Sequence, residues 1–159
     1  MEVNLFYAFV FAYCATAGFG ILLQSPYRSV QTSGIIGAIG WVVFVYMTKC
    51  LEYDSFYSNF IATIVVAVLS EIFARLTKQP VNIYVIPGVI PLVPGLGMYK
   101  GMTTILGNHY EYGMSILMGA AMDAGAIALG MMLVTSIFRF STLKQEENRI
   151  KEIINQQKK

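Results

Sequence analysis

NIYVIPGVIPLVPGLGMY, residues 82–99, is the stretch on which the reading of this chain turns. It carries no charge, and it sets Pro87, Pro91 and Pro94 among Gly88, Gly95, Gly97 and apolar side chains. A proline has no N–H to donate and its ring clashes with the carbonyl four residues back. Helical backbone here would therefore free carbonyls at Ile83, Pro87 and Ile90. In hydrocarbon, unsatisfied backbone groups are costly, and such a segment persists only where protein or a water-filled cavity covers it. Broken helices of this kind hold substrates or ions in secondary transporters, through free carbonyls and half-helix ends. A packed kink with no ligand is the other reading.

The surrounding composition makes hydrocarbon the right solvent to consider. Of 159 residues, 56% are hydrophobic and 13% charged, whereas a soluble domain has about 45–50% and about 25%. That little charge cannot coat one compact core, so soluble globular, disordered and nucleic-acid-binding classes are excluded. With about 20 apolar residues needed per crossing, merging the uncharged runs gives five spans, at 3–23, 33–48, 55–74, 83–106 and 112–138. The expected fold is all-α: a polytopic bundle over 1–140 with its fourth helix broken by prolines, and a short amphipathic helix over 141–159. The N-terminal run lacks a basic flank and is too long for a signal peptide, so the first span is expected to stay.

Charge placement orients the bundle. With the tail cytoplasmic and the N-terminus outside, nine basic residues fall inside (Arg28, Arg75, Lys78, Arg139 and five in the tail) and Lys49 alone outside, which satisfies the positive-inside rule. Were 83–106 re-entrant, Arg75 and Lys78 would lie opposite the basic tail, so a crossing segment is expected. Phe6, Tyr7, Tyr53, Phe56, Tyr57, Tyr110 and Tyr112 then fall near the outer interface as an aromatic belt. This places the protein in the cell (inner or plasma) membrane. The tail, with Thr142 and Gln145 spaced as a capping box and an edge of Leu143, Ile150, Ile153 and Ile154, reads as an interfacial helix or a coiled-coil contact.

Lipid gives helices no hydrophobic reason to meet, so small residues must mark the contact faces. Ala8, Ala12, Thr16 and Gly20 form one such stripe. Gly34, Gly37, Ala38 and Gly40 form another, and Ser115, Gly119, Asp123, Ala126 and Gly130 a third. A compact bundle explains all three; a seam for a second subunit is the sharper reading.

Few residues are equipped for chemistry. Asp123 sits in the middle of the last span, where a carboxylate is expensive and lines a pathway, pairs or exchanges protons; a neutral acid bonded between helices is the alternative. Lys100 closes the proline segment and could pair with Asp123, meet an anionic substrate or snorkel outward. Glu71 and Arg75 are spaced for a structural i,i+4 pair. His109 falls in a polar turn, and Cys14 and Cys50 have no metal-ligand spacing. With no phosphate loop, zinc signature or plausible triad histidine, an enzyme is not expected and no cofactor or metal is implied. The pathway candidates are Pro87, Gly88, Pro91, Pro94, Gly95, Tyr99, Lys100 and Asp123.

Residues 89–99, VIPLVPGLGMY, resemble a motif of the threonine/serine exporter (ThrE) family. That motif is a Pro-x-x-Pro-Gly core followed by a tyrosine, matched here by Pro91, Pro94, Gly95 and Tyr99. GFGILLQSPYRSV at 18–30 is similar to the family's entry into its second helix, and length and helix pattern resemble the smaller subunit of its split, two-component branch. The resemblance implies a secondary exporter of small amino acids such as threonine or serine, or of dicarboxylates such as succinate, driven by protons. It also implies a larger membrane subunit encoded separately. A non-transporting scaffold that braces a partner membrane protein is the rival expectation, and a homo-oligomeric pore a third.

Overall fold

The computed structural model describes residues 4–157, with side chains over 4–140. It is all-helical over those residues: α1 (Leu5–Leu22), α2 (Tyr27–Lys49), α3 (Ser55–Thr77), α4 (Asn82–Val89), a 3₁₀ turn (Ile90–Leu92), α5 (Gly95–Leu106) and α6 (Tyr110–Gln157). Four helices are long and apolar enough to cross a membrane, and a fifth span results if α4 and α5 count as one. The expected all-α architecture with a broken fourth span is what the chain adopts.

Short connections fold α1, α2 and α3 back on one another. The turn after α1 puts Gln24 at φ 56°, Glu52 sits at φ 55° between α2 and α3, and Lys78 caps α3 at φ 54° while its N–H bonds the Ala74 carbonyl. The small-residue stripes lie where helices touch. Ala12, Thr16 and Gly20 are the buried residues of α1, and Gly34, Gly37, Ala38 and Gly40 are all buried in α2. Gly40 faces Val66 of α3 so closely that no Cβ fits between them. Lacking side chains at the seam, the backbones approach and gain dispersion contact that lipid would otherwise take. Ile36, Ala62, Val66, Tyr84, Val89 and Ile127 close the core.

Helix α6 runs parallel to α3. Asp123 meets Ser55, Gly130 meets Phe60 and Thr63, and the Phe138 carbonyl accepts from Arg75. Arg75 also pairs with Glu71 at 3.8 Å and lies over the Phe138 ring at 5.0 Å, so the expected i,i+4 pair forms and ties α3 to α6 as well. Above Asp123 the partner of α6 changes to α5, with Gly113 and Leu117 against Gly101, and Ala120 against Gly97. Only part of the third small-residue stripe lies in these contacts. Ala126 and Gly130 are buried, but Ser115 and Gly119 are exposed and Gly113 and Ala120 take their place, because the helix turns a different face to α5 than to α3.

The proline segment departs from the sequence reading in one respect. The Ile90 N–H bonds the Pro87 carbonyl, and the Val93 N–H bonds the Ile90 carbonyl at 3.2 Å. A tight 3₁₀ turn thus satisfies two of the three carbonyls expected to be free. The two halves meet at 45°. The tail differs too. The backbone of α6 continues through Ser141 to Gln157 without a new start, so Thr142 heads no helix of its own. The tail's expected apolar edge and basic residues lie outside the described side chains.

Candidate functional site

The break in the fourth span opens a cavity of about 440 Å³. Pro91, Leu92, Val93, Pro94, Leu96 and Gly97 form its wall on one side. Opposite stand Trp41 and Phe44 of α2, Ser55 and Asn59 of α3, and Ile116, Gly119, Ala120 and Asp123 of α6. The break makes the space: Val93 is extended at φ −60°, ψ 129°, which swings α5 away from the axis of α4 and leaves α2 and α3 uncovered there. The Trp41 and Phe44 rings stack at 5.3 Å as a flat apolar wall.

The polar lining is compact. The Ser55 hydroxyl donates to Asp123 Oδ2 at 2.8 Å, and the Asn59 Nδ2 amide donates to Ser55 Oγ at 3.4 Å. Asn59 is 2% exposed, and its Oδ1 has no partner. An acceptor held in the protein and left unsatisfied is costly unless water or a ligand completes it. Two helix starts border the cavity, α3 at Ser55 and α5 just after Pro94. The first-turn amides of a helix have no intrahelical acceptor and favour negative charge nearby. An aromatic wall, a carboxylate, an amide oxygen without a partner and the starts of two helices thus border one cavity. Its volume suits small-molecule binding.

Of the candidates read from sequence, Pro91, Pro94 and Asp123 line this cavity, and Gly95 starts the helix beside it. Pro87 and Gly88 are buried on the other side of the break, where Gly88 meets Val66 and Ile36. Tyr99 and Lys100 are exposed and do not line the cavity. Among the described residues no ion pair joins Lys100 to Asp123, whose partner is Ser55. Asp123 is central in the apolar stretch Tyr110–Phe140, yet it lies level with the first turn of α3, because α6 begins 13 residues earlier, about 20 Å beyond that turn. His109 is exposed in the turn between α5 and α6. Sequence reading missed Ser55, Asn59 and Trp41. An amide within an apolar run marks Asn59, and Trp41 is the one tryptophan of the chain; nothing local singles out Ser55.

Residues 8–137 match the sequence profile of the family described as threonine/serine exporter, ThrE. The chain is also similar to an uncharacterized protein of Haemophilus influenzae, at 22% identity over 144 residues, covering 86% of this chain and 48% of that protein. The chain thus spans about half the length of this relative. No solved structure matches it.

Proposed function

The chain belongs to the threonine/serine exporter family, and on that premise we propose that it is the smaller half of a two-chain exporter whose solute site is the Asp123 cavity. The observation that carries this reading is the hydrogen-bonded set Asp123, Ser55 and Asn59 facing the break of the fourth span. A serine or threonine zwitterion fits that set. Its ammonium meets the Asp123 carboxylate, its carboxylate meets the first-turn amides of α5, and its hydroxyl donates to Asn59 Oδ1. A small dicarboxylate such as succinate is the second solute class. An ionisable carboxyl group in the solute site is how proton coupling enters the proposal.

The proposal sets the chain in the cell membrane with its N-terminus outside and its tail cytoplasmic, on the strength of the charge asymmetry. A larger membrane subunit of the same family supplies the remainder of the path, in keeping with the half-length coverage of the relative. The test is efflux of serine, threonine and succinate from cells expressing the chain with and without that larger subunit. The pair is expected to export at least one of the three. Asp123→Asn keeps the shape and the Ser55 bond, and should lower efflux by about tenfold or more, the worth of one charge-assisted hydrogen bond. Unchanged efflux in this variant rejects the role of Asp123. A pair that exports none of the three leaves the scaffold reading in its place.

A further inference from the structure

Helix α3 carries a polar face that the Asp123 cavity does not account for. Ser55, Asn59, Thr63, Ser70 and Thr77 fall within about 80° of one another around its axis and span about 33 Å along it. At the far end from Asp123, Thr77 and Tyr84 border a second cavity of about 410 Å³, lined also by Arg28, Ser29 and Gln79. There the Tyr84 hydroxyl bonds Ser29 at 3.2 Å and Thr77 at 2.8 Å. Between the two cavities, Thr63 and Ser70 are each 0% exposed, and neither hydroxyl has a partner.

The missing partners are the informative part. A serine or threonine hydroxyl in a helix ordinarily bonds the carbonyl a turn back, as Thr48, Ser58, Thr77, Thr103 and Thr104 do here. Thr63 and Ser70 leave that bond unmade and stay buried, so their hydrogen-bonding capacity is held in reserve on the line that joins the cavities. Val66 interrupts the line. It lies on the same face between them and packs against Gly88 of α4, just behind Pro87 in the segment least able to hold a regular helix.

We infer that this face of α3 is the route of the solute through the chain, with Thr63 and Ser70 as hydroxyl contacts along it and the Val66–Gly88 contact as its closure. The inference rests on the exporter reading for the nature of the solute, a small molecule with hydroxyl, ammonium or carboxylate groups. The second cavity, with Arg28 and Gln79 in its lining, is where a solute carboxylate enters or leaves.

Two isosteric variants test it, Thr63→Val and Ser70→Ala. Each removes a hydroxyl that makes no bond in the resting protein, so folding should be unharmed and melting should stay level or rise. Efflux of serine by the chain with its larger subunit should nevertheless fall by about tenfold. Unchanged efflux in both variants overturns the route. A second readout does not depend on export. In a chain with Cys14→Ala and Cys50→Ala, Thr63→Cys and Ser70→Cys should react in membrane vesicles with a small membrane-impermeant thiosulfonate. Ile61→Cys and Ile72→Cys, on exposed apolar positions of α3, should not. Silence at 63 and 70 overturns the route whatever the protein transports. Reaction there, in a protein that exports no amino acid or succinate, upholds the water-accessible route and removes the exporter reading.

Discussion

At the scale of single residues, the chain separates polar groups that bind the helices from polar groups kept for something else. Tyr84 belongs to the first kind: 1% exposed, it joins the start of α2 through Ser29 to the end of α3 through Thr77. Tyr84→Phe should cost about 1–2 kcal/mol by losing two neutral hydrogen bonds, read as a lowered melting temperature in detergent. Asp123 and Asn59 belong to the second kind, since they retain acceptor capacity inside a cavity. Asp123 was legible from sequence because a lone carboxylate in an apolar run is expensive enough to need a reason. Ser55 was not, because a hydroxyl is cheap in a helix that can bond its own backbone. Lys100 stands outside the cavity for a geometric reason. Gly97 and Gly101 occupy the face of α5 that meets α6, and Lys100 lies about 100° around the helix from Gly101, outside the cavity.

At the scale of elements, the prolines act by placing a bend rather than by exposing carbonyls. Sequence rules foretold the missing N–H groups, since these follow from covalent structure. They did not foretell the 3₁₀ turn at Ile90–Leu92 that satisfies the Pro87 and Ile90 carbonyls; that depends on how far the next residues can tighten. What the break leaves open is space, bordered by the starts of α3 and α5. The hairpin of α5 and the first part of α6 keeps that space in shape through one close approach. A Cβ on Gly113 would lie 2.9 Å from the Gly101 carbonyl oxygen and hard against Ile105. Gly113→Val therefore forces α5 off α6, at about 1–3 kcal/mol for an overpacked contact. It should lower the melting temperature, whereas Gly119→Ala, at a position inside α6 with open space around it, should leave it level or raise it, because alanine favours helix over glycine.

At the scale of the whole molecule, five apolar spans and their order were written in the run lengths, because bilayer thickness sets a length that a sequence must meet. The relative reach of the helices was not, since each span was measured by itself. Tyr110 and Tyr112 consequently lie about 20 Å beyond the turn of α3 that carries Phe56 and Tyr57, although all four were assigned to one interface. The same offset brings the middle of α6 opposite the first turn of α3 and so creates the Asp123 site. Thiol protection measures whether this cavity receives the solute. Gly119→Cys, in a chain with Cys14→Ala and Cys50→Ala, places one thiol in the cavity wall. Solute binding there gives labelling by a membrane-impermeant thiol reagent in vesicles holding both subunits, and slower labelling when serine, threonine or succinate is present. Labelling at the same rate with and without each of the three would contradict it.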